Sequence, residues 1–116
     1  MNRSILFIIT TDPRTSSRPA EAIRIAAGIA AGNRDAVTVY LRGAAVLALS
    51  EYPDDLIDDE NYTRYLPILG QSARPIYVES ASSHLAEIGA AVLKYQELTE
   101  PELASLAAQT TYVARF

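Results

Sequence analysis

Apolar residues fall into short runs separated by polar stretches that carry proline or glycine, and the spacing inside the runs alternates between strand and helix. Ile5-Leu6-Phe7-Ile8-Ile9 is continuously apolar, as expected of a strand buried on both faces of a parallel sheet. The chain then turns polar through Thr10, Thr11, Asp12, Pro13, Arg14, Thr15, Ser16, Ser17 and Arg18. Pro19 opens a helix where its missing N–H costs nothing. Ala22, Ile23, Ala26, Ala27 and Ala30 recur at helical spacing, and Ile25 and Ile29 widen the stripe. The small residues, Gly28 among them, predict a helix lying close against a sheet. Gly32-Asn33 reads as its C-terminal stop.

Residues 36–41 are rich in β-branched side chains and predict a second strand, completing a βαβ unit that is right-handed by strong default. After Gly43 a short apolar helix is expected over residues 44–49, then an acidic, turn-like stretch over 51–60. A helix over 61–71 carries Tyr62, Tyr65, Leu66 and Leu69 on one side. Residues 75–79 predict a third strand, 80–89 a polar-then-helical segment, and the region around 92–95 a short fourth strand. Thr99 caps a helix over 100–109, with Pro101 in the first turn and Glu102 as capping-box partner. Residues 111–116 read as a last strand. This order predicts an α/β fold: a three-layer α/β/α domain, single over 1–116, around a mainly parallel, five-stranded, doubly wound sheet.

Composition narrows the function classes. At 116 residues and 49% hydrophobic, the chain can bury a core without metals or disulfides. A net charge of −4 argues against a nucleic-acid surface, where a basic stripe is expected. The chain has no cysteine, which removes disulfides, thiolate metal sites and cysteine nucleophiles together. With one histidine, His84, a metal site is not expected, and neither is a cofactor. The opening apolar run is too short for a signal-peptide core, and no run reaches the roughly 18 apolar residues of a membrane span. The expected address is the cytoplasm, with no membrane partner.

Candidate chemistry gathers at the carboxyl ends of the strands, where open α/β sheets place their crevice. Glu79 ends the third strand and could act as a general base or hold a cation; as a carboxylate at a helix start, it could equally serve as a cap. Ser80, Ser82, Ser83 and His84 follow it. A hydrolase reading lacks the Gly-x-Ser-x-Gly elbow, and serines at a helix start are better explained as N-caps. In the loop after the first strand, Thr10, Thr11, Asp12, Arg14 and Arg18 stand beside a helix N-terminus, a set suited to an anion such as phosphate or sulfate. That loop has no glycine, so it matches neither the dinucleotide fingerprint nor the Walker pattern. A solvated turn is the alternative. The acidic stretch lacks the spacing of a calcium loop and reads as a solvated surface.

The run Ile5-Leu6-Phe7-Ile8-Ile9-Thr10, the Ala-rich first helix, and Val37-Thr38-Val39-Tyr40-Leu41 before Gly43 resemble the DsrE/DsrF/TusD group. Pro75-Ile76-Tyr77-Val78 before a polar turn, and Glu102-Leu103-Ala104-Ser105-Leu106 before a final strand, are similar to it as well. The resemblance covers nearly the whole chain. It implies a sulfur-relay type of protein that carries persulfide or serves as a partner subunit, assembled as trimers or hexamers. In that group the active cysteine typically ends the strand resembling Pro75–Val78, so its place here falls on Glu79. Persulfide carriage therefore does not transfer.

The reading that remains is a non-catalytic DsrE-like domain. It is expected to form a homotrimer or homohexamer, or to pair with a related DsrE-like subunit. A small anionic ligand at the strand carboxyl ends would be held by Thr10, Thr11, Asp12, Arg14, Arg18, Glu79, Ser80 and Ser83. The alternative is a small enzyme using Glu79 and His84 for acid–base chemistry on an anionic substrate. The apolar residues 44–49 and the tyrosines after them predict where the oligomer contact lies.

Overall fold

The computed structural model describes residues 3–32, 34–71 and 75–116. Five strands form one sheet: β1 (Ser4–Ile9), β2 (Ala36–Leu41), β3 (Ile76–Glu79), β4 (Tyr95–Leu98) and β5 (Tyr112–Arg115), in the order β4-β3-β2-β1-β5. All pairings are parallel. The α-helices are α1 (Arg18–Ala31), α2 (Asp59–Gly70) and α3 (Glu100–Ala108), and 3₁₀ segments cover Gly43–Leu49, Pro53–Asp55 and Ser83–Glu87.

From β1 the chain steps outward to β2, β3 and β4, then crosses back to place β5 on the far side of β1. Right-handed crossovers put the three outward connections on one face and the returning one, α3, on the other. Side chains follow this division. Phe7, Ile9, Val39, Leu41, Ile76 and Val78 pack with α1, α2 and the segment Gly43–Leu49. Leu6, Ile8 and Tyr40 pack on the opposite face with Leu103 of α3, and Tyr77, Leu98, Leu106 and Ala107 border them. One layer is therefore thick and the other rests on a single short helix. The expected three-layer, doubly wound α/β architecture is observed, with every strand parallel. No helix among the described residues is long and apolar enough to cross a membrane.

Several local expectations are corrected. Residues 44–49 are not an outward-facing apolar helix: Ala45, Val46, Ala48 and Leu49 are fully buried within the chain and Leu47 is 7% exposed. The segment is the crossover from β2 toward α2 and lies against the sheet, so its apolar residues are covered by their own fold. Tyr62, Leu66 and Leu69 are buried by the same packing. The fourth strand begins at Tyr95, later than expected, because Val92 is held outside the sheet by its N–H to the Leu49 carbonyl at 3.1 Å. The stretch after Ser80 forms only a 3₁₀ turn. Ala22, Ala26 and Ala27, with no exposed surface, make the close approach of α1, whereas a Cβ on Gly28 would meet nothing within 4 Å. Gly32 closes α1 with right-handed backbone, φ −70°, and Asn33 lies outside the described residues.

Candidate functional site

β2 and β3 end side by side, with Leu41 opposite Val78. One residue beyond β2, Arg42 is the extended N-cap of the 3₁₀ segment, and Gly43 follows at φ +58°, a left-handed conformation natural to glycine. That turn puts the Gly43 N–H within reach of Glu79, whose Oε1 accepts it at 3.0 Å. Arg42 Nε lies 3.8 Å from Glu79 Oε2, and its Nη2 is paired with Glu100 in the first turn of α3. The guanidinium carbon also sits 5.6 Å from the centre of the Tyr40 ring. Tyr40 is fully buried and its hydroxyl has no hydrogen-bond partner among the described residues. Burial pushes that phenol up from its ordinary pKa. Arg42 thus ties the ends of β2 and β3 to the start of α3, the one helix among the described residues that covers the thin face.

A second cluster joins the loop after β1 to the 3₁₀ segment Ser83–Glu87. Arg14 grips Asp12 with both arms of its guanidinium, Nε to Oδ1 at 3.1 Å and Nη2 to Oδ2 at 2.9 Å. The Arg14 backbone N–H adds a third bond to Oδ1 at 2.9 Å. The side-chain bonds from Arg14 hold the Asp12 carboxyl below the usual carboxylate range, and the nearby His84 adds to the effect. His84 Nδ1 is itself paired with Glu87. Glu87 lies near enough to act on Arg14.

The sequence-derived ligand set does not converge. Arg14 is turned to Asp12, whereas Arg18 lies over the Phe116 ring, 5.5 Å from its centre, and donates to the Arg115 carbonyl at 3.4 Å. Thr10 is occupied with the Phe116 carbonyl, which its N–H reaches at 2.9 Å. Thr11 is half-buried. The Ser80 N–H bonds the Leu98 carbonyl at 2.9 Å, and exposed Ser83 lies beyond Ser82, whose Oγ caps the 3₁₀ turn by accepting from the His84 N–H at 3.3 Å. The structure joins Asp12 to Arg14, with His84 within electrostatic reach of Asp12, and separately joins Glu79 to Gly43 and Arg42.

Arg42, Glu100, Tyr40 and Glu87 were not singled out from the sequence. Arg42-Gly43 directly after a predicted strand was the one available signal, since it occupies the same carboxyl-end position that drew attention to Glu79.

No protein-family model matches the chain, and no curated protein matches its sequence. In three dimensions it is similar to the ychN protein from E. coli, whose crystal structure covers 100% of both chains with a TM-score of 0.78 at 19% identity. A likeness at that identity concerns the fold, and it supports a DsrE-like fold for this chain.

Proposed function

We propose that this chain is a non-catalytic DsrE-like subunit that works through assembly, with itself or with a related chain, and carries no persulfide. The observation that carries the reading is the hold on Glu79. At the place where the resemblance puts a reactive cysteine stands a carboxylate, bound by the Gly43 N–H at 3.0 Å and flanked by Arg42. A backbone N–H and a guanidinium are the donors that would steady a thiolate or persulfide. Here a carboxylate belonging to the protein occupies them. The position is filled, and it rigidifies the ends of β2 and β3 instead of meeting a substrate.

The acid–base alternative has less support. A general base must reach its substrate's proton, yet Glu79 is engaged with Gly43 and Arg42, and His84 with Glu87. Anion binding by Arg14 and Arg18 is weakened in the same way by their separate engagements. Assembly is supported by the edge strand β5, where Val113 is 38% exposed on the thinly covered face and Tyr112 is 53% exposed on the other. Light scattering coupled to size exclusion tests the proposal: a multiple of the 12.6 kDa chain is expected at low micromolar concentration.

A further inference from the structure

A cleft of about 290 Å³ lies between α2, the end of the segment Gly43–Leu49 and the chain leading into β4. That volume lies at the small end of the range for small-molecule sites. Leu66, Val92, Leu93 and the ring of Tyr62 make most of its wall, with Ser50 and Glu51 beside them. The wall is well anchored. Val92 is pinned to the Leu49 carbonyl, and Leu93 fits so closely on α2 that a Cβ at Gly70 would come within 2.6 Å of its Cδ2. Val92 nevertheless keeps 47% of its surface exposed. Tyr62 is 2% exposed, and its hydroxyl lacks a partner among the described residues.

The charge within the lining of the cleft has one sign. The lining holds one carboxylate, Glu51, and no basic residue among the described residues. Among the described residues the Glu51 carboxylate accepts one long hydrogen bond, from the Ala90 N–H at 3.4 Å. Asp54 and Asp55 follow Pro53 of the lining and Asp58 precedes α2, whereas Arg64 and Lys94 follow Thr63 and Leu93 of it, so the acids around the cleft outnumber the bases. Burial drives the Tyr62 phenol up, and the charge of Asp58 pushes it further, so this acidic field extends to the cleft wall. An apolar body would be welcome there, a carboxylate or phosphate would be repelled, and an ammonium would find Glu51.

We infer that this cleft binds a small amine with an apolar body, which packs on Leu66, Val92 and Leu93 while its ammonium pairs with Glu51. The lining shares no residue with the Glu79 and Asp12 clusters, and the inference stands independently of the assembly reading. The test titrates isotope-labelled full-length protein with phenethylamine, 2-phenylethanol and phenylacetate at matched ionic strength, following backbone amide shifts. Saturable shifts at Ser50, Glu51 and Val92 are expected with phenethylamine, about fivefold tighter than with the alcohol. Phenylacetate should leave these amides unmoved. Glu51→Gln should reduce the amine to the level of the alcohol, and Thr63→Trp, at an exposed position of the lining, should block both. Equal binding of phenylacetate, an amine preference that survives Glu51→Gln, or no saturable shift at these amides would each overturn the inference.

Discussion

The carboxylate of Glu79 accepts the amide hydrogen of Gly43 at 3.0 Å, across 36 positions of sequence. This bond joins the ends of two neighbouring strands. With Arg42 reaching on to Glu100, it extends to the N-terminus of the helix on the opposite face.

If the surroundings of Glu79 are built to hold an anion, a thiol placed there should ionise early. In Glu79→Cys, the rate of iodoacetamide alkylation against pH should show a midpoint about one unit below an ordinary thiol, because Arg42 and the Gly43 N–H favour the thiolate. Arg42→Gln in the same background should return it upward. A midpoint at or above that of a free thiol would show that the position has no anion preference.

The turn itself should be sensitive to its glycine. Gly43 sits at φ +58°, and an added Cβ would meet nothing within 4 Å, so Gly43→Ala tests backbone strain alone. The expected loss is about 1–2 kcal/mol. Glu79→Ala, which leaves the Gly43 N–H without its acceptor, should lose about 1 kcal/mol. Urea unfolding with an unchanged m-value is the check; wild-type stability for Gly43→Ala would contradict the geometry.

The helix over the thin face depends on its capping box. The Thr99 N–H donates to Glu102 Oε1 at 2.9 Å and Thr99 Oγ1 accepts from the Glu102 N–H at 3.4 Å. Thr99→Ala should destabilise the fold by about 1 kcal/mol. The Thr99 backbone N–H, and after it the Thr99 side chain, hold the Glu102 pKa below its ordinary value. A carboxyl depressed in the folded state contributes stability that is present above its unfolded pKa and lost as pH falls through the folded one. Asp12, held down chiefly by Arg14, acts in the same sense. Stability should therefore fall as pH drops below about 4, and Glu102→Gln, which keeps an acceptor for the Thr99 N–H but removes the titrating carboxyl, should flatten that decline in equilibrium unfolding measured at stepped pH.

Burial of the 3₁₀ segment Gly43–Leu49 changes what a charge there would do. Leu47→Glu puts an unpaired carboxylate into the chain's own core and should cost about 3 kcal/mol or more. Its circular dichroism should report lost folding, not merely dissociation. Val113→Asp, on the exposed edge strand, should leave the spectrum intact while lowering the mass seen by light scattering. The reverse pattern would return the contact to residues 44–69.

Much of the fold was legible because its signals are local. The period of Ala22, Ile23, Ala26 and Ala27, the apolar run of β1 and the Thr99–Glu102 pair each act within one or two turns of chain. The pairings were not legible for the opposite reason. Nothing near Glu79 in sequence names Gly43 as its donor, and nothing near Arg42 names Glu100; both follow from strand order. Residues 44–49 show a different limit. A segment apolar all round looks the same whether its own sheet or a second subunit covers it, and only tertiary packing shows which. Val92 was drawn into the fourth strand by its apolar neighbours, although its backbone is bonded to Leu49 outside the sheet.

The central claim is that the chain acts as an assembling subunit whose place for reactive sulfur is filled by Glu79. Native mass spectrometry of the protein purified from its own host, before and after incubation with a persulfide donor, tests both halves in one spectrum. The account predicts a multiple of the 12.6 kDa chain, alone or with a related subunit, and no gain of sulfur mass on this chain. A clean monomer, or a stable gain of one sulfur atom per chain, would contradict it.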